Sequence, residues 1–220
     1  MFPGLLVLWF LLTGRPRAAA WSIVAAIGVA ALSLPITGIE PWRDYPTVLA
    51  NLSSTPNAID ALAPTNWLTP YVGFTVARVL VTVVGLALVA WSSTRVRATR
   101  PQSIALSFGL AVVVAVLVTP ALYTSYLTVL ILPMLLGLGA GIRLRWLAVP
   151  YLLMWGGQQA ALGDLAWIVN KGFPTAGALL LLALLIARSG NDDAADREGA
   201  EDRLAHGGHA DDQPANLVVG

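Results

Sequence analysis

Arg78 is the only charged side chain in YVGFTVARVLVTVVGLALVA, and a guanidinium set among aliphatic residues invites a search for the anion it serves. Its planar fork of donors suits a phosphate. A second concentration of polar chemistry lies in VTPALYTSYLTVLILP, where Thr119, Tyr123, Ser125 and Tyr126 crowd into a run from Gln102 to Ile142 that holds no charge at all. A third is PWRDYPTVLANL, in which Arg43 and Asp44 are adjacent and Glu40 stands close by. A carboxylate there could act as a general base, although such groups are more often solvated at a surface. For Arg78 two readings are open: a cation facing an internal cavity, or a side chain that snorkels outward or pairs with Asp44 or Asp60. At the middle of an apolar span it would cost roughly 2.5 to 3.5 kcal/mol on insertion scales, so something should offset it.

Other chemistries are poorly served. Cysteine is absent, which removes thiolate metal sites, disulfides and Cys nucleophiles. Both histidines, His206 and His209, lie in a polar tail beside Asp211 and Asp212. That cluster reads as solvated rather than metal-binding, and no Ser, His and Asp constellation can be assembled around it. No Gly-rich phosphate loop is present, and neither a metal nor a cofactor is expected. A net charge of +1 offers no basic footprint for nucleic acid, and none is expected as a partner.

The elements that must position these residues are membrane helices. The chain is 57% hydrophobic and 11% charged over 220 residues, against roughly 25% charged in soluble domains. Apolar windows fall at 3–13, 18–37, 70–92, 102–119, 124–141, 146–162 and 167–187. They are uniformly apolar and lack the period-two alternation of barrel strands, so the expected fold is all-α, a polytopic transmembrane bundle of about seven helices. Arg15, Arg17, Arg95, Arg97, Arg100, Arg143, Arg145 and Arg188 all fall between windows on one side. By the positive-inside rule that side is cytoplasmic, and the loop 38–69 is outside. Within that loop Trp42, Tyr45, Val48, Leu49 and Leu52 recur at helical spacing, as in an amphipathic helix lying on the membrane surface. Residues 1–188 form the membrane domain on this reading. The acid-rich segment 189–220 is expected to be a disordered cytoplasmic tail. The first window is short, about ten residues or roughly 15 Å of helix, which leads to the expectation that the helix began upstream of residue 1.

The order of these features resembles glycosyltransferase family 87, the polyprenol-phosphate-mannose-dependent mannosyltransferases and their bacterial relatives. The resemblance rests on MFPGLLVLWFLLTGRPRAA, on the loop opening GIEPWRDYPTVL and on the turn VTPALYTSYLTVLILP, and covers most of residues 1–145. The family's turn usually reads Ser or Thr, Pro, two variable residues, an aromatic, one more residue, then His and an aromatic. Thr119, Pro120, Tyr123 and Tyr126 fit, while Ser125 takes the His position and can supply a hydrogen bond but neither charge nor base. Phe2 and Pro3 stand where the family usually has Lys and Pro.

The resemblance implies the carboxy-terminal portion of a membrane glycosyltransferase. It would move a sugar, mannose by the family's donor, from a polyprenyl phosphate to an acceptor on the outer side of a bacterial plasma membrane. Its partners would be that lipid-linked donor and membrane lipids. Arg78, with Arg43 as the alternative cation, and Thr119, Tyr123, Ser125 and Tyr126 would contact substrate. The essential acid of the family's first outer loop has no counterpart here, which leaves Asp44 as the candidate base and predicts an inactive chain unless Asp44 or another chain supplies it. A transporter or lipid-translocating protein, and an inactive fragment or subunit, are the alternatives.

Overall fold

The computed structural model describes residues 2–54, 63–96, 101–119, 124–156 and 172–206. Among the described residues there is no strand, and the chain is a multi-pass bundle of α-helices. In order these are α1 (Phe2–Leu12), α2 (Pro16–Thr37), α3 (Glu40–Ser54), α4 (Pro64–Val72), α5 (Phe74–Thr94) and α6 (Pro101–Val118). A 3-10 helix (Thr124–Leu130) then leads into α7 (Ile131–Gly139), followed by α8 (Leu144–Gly156) and α9 (Phe173–His206).

Local chemistry sets the breaks. Helix α1 stops where the Thr13 hydroxyl donates back to the Trp9 carbonyl at 2.9 Å and Gly14 turns the chain at φ 71°. Pro16 then opens α2, a position where its missing N–H has no partner to lose. Gly73, at φ 77°, separates α4 from α5, so the expected window 70–92 is two helices rather than one. The left-handed conformation there strains any residue with a Cβ.

Among the described residues, four helical segments are long and apolar enough to cross a membrane: Pro16–Thr37, Phe74–Thr94, Pro101–Val118 and Phe173–Gly190. The first window holds the short α1, the window 124–141 becomes the 3-10 helix and α7, and α8 covers the described part of 146–162. Two outcomes differ from the sequence reading. The loop 38–69 contains α4 as well as the amphipathic α3. Helix α9 continues past the expected boundary at 188 to His206. The segment DDAADREGAEDRLAH is rich in Ala, Glu and Arg, which are good helix formers. A helix already nucleated by the membrane segment also extends at little cost.

Helix α6 is the hub. Every residue from Gly109 to Val118 is buried, and α6 packs against α1, α5, α7 and α9. Its first half is tied by a buried hydrogen-bond chain. Trp9 Nε1–H donates to Ser107 Oγ at 2.8 Å, Ser107 Oγ–H to Ser92 Oγ at 3.2 Å, and Ser92 Oγ–H to the Val89 carbonyl at 3.0 Å. Each buried hydroxyl is therefore satisfied, as burial demands. At the same end, Arg188 Nε–H donates to the Ala140 carbonyl at 3.0 Å, where α7 ends. These links gather Arg15, Arg95, Arg143, Arg145 and Arg188 at one end of the bundle. Helix α2, by contrast, packs substantially against α1 alone.

Candidate functional site

The antiparallel register of α5 and α6 locates Arg78. Ser92 faces Ser107, and Gly85 faces Val114 and Val118. Continuing that register brings Leu80 level with Thr119, the last described residue of α6's end. Arg78 then lies about two residues, roughly 3 Å, further along the axis. It is half-buried, and stands roughly 25 Å along α5 from Arg95, at the end of the bundle away from the arginines.

Along α5 from Leu80 to Leu88 runs an apolar cleft of about 210 Å³. Four helices form its walls: Pro64 and Leu68 from α4, Leu80, Val81, Val84, Gly85 and Leu88 from α5, Leu117 and Val118 from α6, and Leu179 and Leu182 from α9. Helix α4 reaches the cleft because Gly73 folds it back along α5, and Ala63 with Pro64 begins it inside the bundle, where Ala63 is fully buried. The cleft walls are almost wholly aliphatic, and Arg78 stands two residues before Leu80 on α5.

Thr119 is level with Leu80 by this register, and its hydroxyl proton is committed. Thr119 Oγ1–H donates to the Ala115 carbonyl at 2.9 Å, so toward a ligand this residue can only accept. Ser125 and Tyr126 belong to the 3-10 helix, with side chains outside the described residues; Tyr123 lies outside them altogether. Asp60 and His209 also lie outside. Arg43 and Asp44 are on α3, where every residue from Glu40 to Val48 is exposed. Arg78 and Thr119 thus lie toward the same end of α5 and α6, while Arg43 and Asp44 are on a separate, exposed element.

Three participants escaped the sequence reading. Helix α4 was folded into the outer loop, although Pro64 in ALAPTNWLTP is a signal for a helix start. Gly85 is a lone glycine in a valine-rich helix, and only the tertiary register shows what it faces. Tyr151 and Trp155, one turn apart on α8 with ring centroids 6.0 Å apart, line a second cleft of about 150 Å³ with Leu127, Thr128, Ile131 and Met134. The last residues of α6, Leu117 and Val118, line the first cleft, and Leu127 and Thr128 of the 3-10 helix line the second.

No curated protein and no solved structure matches the chain. The family model for glycosyltransferase family 87 matches residues 1–120, more than half of the chain. The matched stretch contains α1 to α6, and with them Arg78 and the α4, α5 and α6 walls of the cleft. The chain belongs to glycosyltransferase family 87.

Proposed function

We propose that this membrane protein transfers a sugar, mannose, from a polyprenyl phosphate donor to an acceptor hydroxyl on the outer side of a bacterial plasma membrane. The acceptor oxygen attacks the anomeric carbon and forms the new glycosidic bond with inversion. The bond from that carbon to the phosphate oxygen breaks, and polyprenyl phosphate leaves with the electron pair. The acceptor's proton passes to a base, for which Asp44 is the candidate. Arg78 steadies the charge that develops on the leaving phosphate, and the aliphatic cleft receives the first isoprene units. Arg43 is the alternative cation.

The observation that supports this reading is the half-buried Arg78 on α5, two residues before Leu80, where the lining of the apolar cleft begins. The single-sided arginines support the orientation, because basic residues are retained in the cytoplasm. Arg78→Ala should lower turnover with polyprenyl phosphate mannose by about 10²- to 10³-fold, the usual effect of deleting one group that stabilises a developing anion. Unchanged turnover and donor affinity in that variant would remove Arg78 from the site.

A further inference from the structure

Helix α3 has two chemically distinct faces. At about 100° per residue, Trp42, Tyr45 and Val48 fall within one arc of about 120°, and Glu40, Arg43, Asp44 and Thr47 within an arc of about 100° on the other side. The Trp42 and Tyr45 rings are neighbours, with centroids 6.3 Å apart, and both they and Val48 are exposed. Helix α3 packs substantially against no other described element, so its apolar face takes no part in holding the bundle.

Helix α2 sets the level at which α3 begins. Arg17, exposed at the start of α2, belongs in a headgroup layer rather than in hydrocarbon. Gly38 follows it by some 21 residues, about 31 Å of helix, which matches a hydrocarbon core of about 30 Å. The stretch between is open, with Trp21, Val29, Leu32 and Ile36 all exposed. Gly38, at φ 74°, ends α2, and the exposed Ile39 leads directly into α3. The apolar exposed surface of α2 thus continues along the chain through Ile36 and Ile39 to Trp42 and Tyr45, at the boundary where Trp and Tyr side chains are favoured.

We propose that α3 docks on the lipid interface: Trp42, Tyr45 and Val48 enter the headgroup and acyl boundary of the leaflet at that end of α2, while Glu40, Arg43, Asp44 and Thr47 face water. Helical spacing alone predicts an amphipathic helix; the free face and the level set by α2 assign its partner. The inference does not depend on the roles proposed for Arg43 and Asp44, but it constrains them. Both then stand on the water side of α3, so an acceptor that gives its proton to Asp44 presents its hydroxyl from the aqueous side rather than from the apolar cleft.

The chain has no native cysteine, so single nitroxide labels can be placed in the full-length protein without other changes. Tyr45→Cys, Val48→Cys, Glu40→Cys and Thr47→Cys leave Arg43 and Asp44 intact, and Leu32→Cys on the open face of α2 gives the hydrocarbon value. In nanodiscs of phosphatidylcholine and phosphatidylglycerol, power-saturation electron paramagnetic resonance compares collisions with oxygen, which partitions into lipid, and with a water-soluble nickel chelate. The oxygen-to-nickel ratio at positions 45 and 48 should be at least about threefold that at positions 40 and 47, as an interfacial helix with one immersed face requires. High nickel access at every α3 position would place the helix in water and overturn the inference. Low access of both reagents at 45 and 48, or failure of those variants to fold, would mean that protein covers the face and would overturn it too. So would a high oxygen ratio at all α3 positions, which would immerse the polar face, or a nickel-rich Leu32→Cys, which would remove α2 from lipid.

Discussion

Helices α2 and α6 are similarly apolar and each is long enough to cross a membrane, but they meet opposite surroundings. Of the membrane-length window in α6, 67% is buried inside the protein, against 6% in α2. In α6 the run from Gly109 to Val118 has no exposed residue, whereas Trp21, Val29, Leu32 and Ile36 of α2 are all open. In water such a difference would show in the sequence as a polar face. In hydrocarbon it need not, because lipid tails solvate leucine as well as protein does. Apolar length marks a membrane helix, and only the neighbours decide whether it is a hub or a wall. The proposed site follows the hub: the α6 end and the cleft belong to the buried part, while α2 leads out to the exposed α3.

The contrast can be broken in three steps of decreasing size. Leu110→Ala, at a residue 1% exposed in α6, should destabilise the protein by about 2 to 5 kcal/mol. Denaturant unfolding in micelles reads this directly, and a near-neutral result would mean that α6 is loosely held. Trp9→Phe keeps the ring but deletes the N–H that serves the buried Ser107. A loss of about 1 to 3 kcal/mol is expected for a buried polar group left short of its partner. Adding Ser107→Ala to that variant should recover part of the loss, and no recovery would dissolve the proposed chain of hydroxyls. Leu32→Ala, on the open face of α2, should change stability by less than about 0.5 kcal/mol. If its thermal midpoint instead falls as far as that of Leu110→Ala, α2 has a protein partner and the comparison fails.

Much of the architecture was legible because membrane insertion writes it in one dimension. Apolar windows, the one-sided arginines and the helical spacing of Trp42, Tyr45 and Val48 each follow from local composition. Arg78 was legible for the same reason, as a charge standing alone in aliphatic surroundings. What escaped depends on three dimensions or on backbone angles. The positive φ at Gly73 splits one window into α4 and α5, and composition alone does not distinguish that glycine from Gly85, which stays helical. The hydroxyl of Thr119 looked available, yet it is consumed by its own helix four residues back, a habit of Ser and Thr in apolar helices. The acid-rich end of α9 read as a solvated coil because hydropathy outweighed its helix-forming residues. Tyr123 and the side chains of Ser125 and Tyr126 fall outside the described residues, so that part of the expected site rests on the sequence.

Helix α9 also has a mechanical consequence. Its 34 residues make a rod of about 51 Å at 1.5 Å per residue, well beyond a hydrocarbon layer of about 30 Å. Arg188, bonded to the Ala140 carbonyl, pins the rod part-way along. On the membrane side of that pin, Gly177 lies against α8 so tightly that an added Cβ would be 2.7 Å from the Pro150 carbonyl oxygen. The helix therefore carries on for some 18 residues, about 27 Å, past that bond, so its far end stands well away from the segment held against α8.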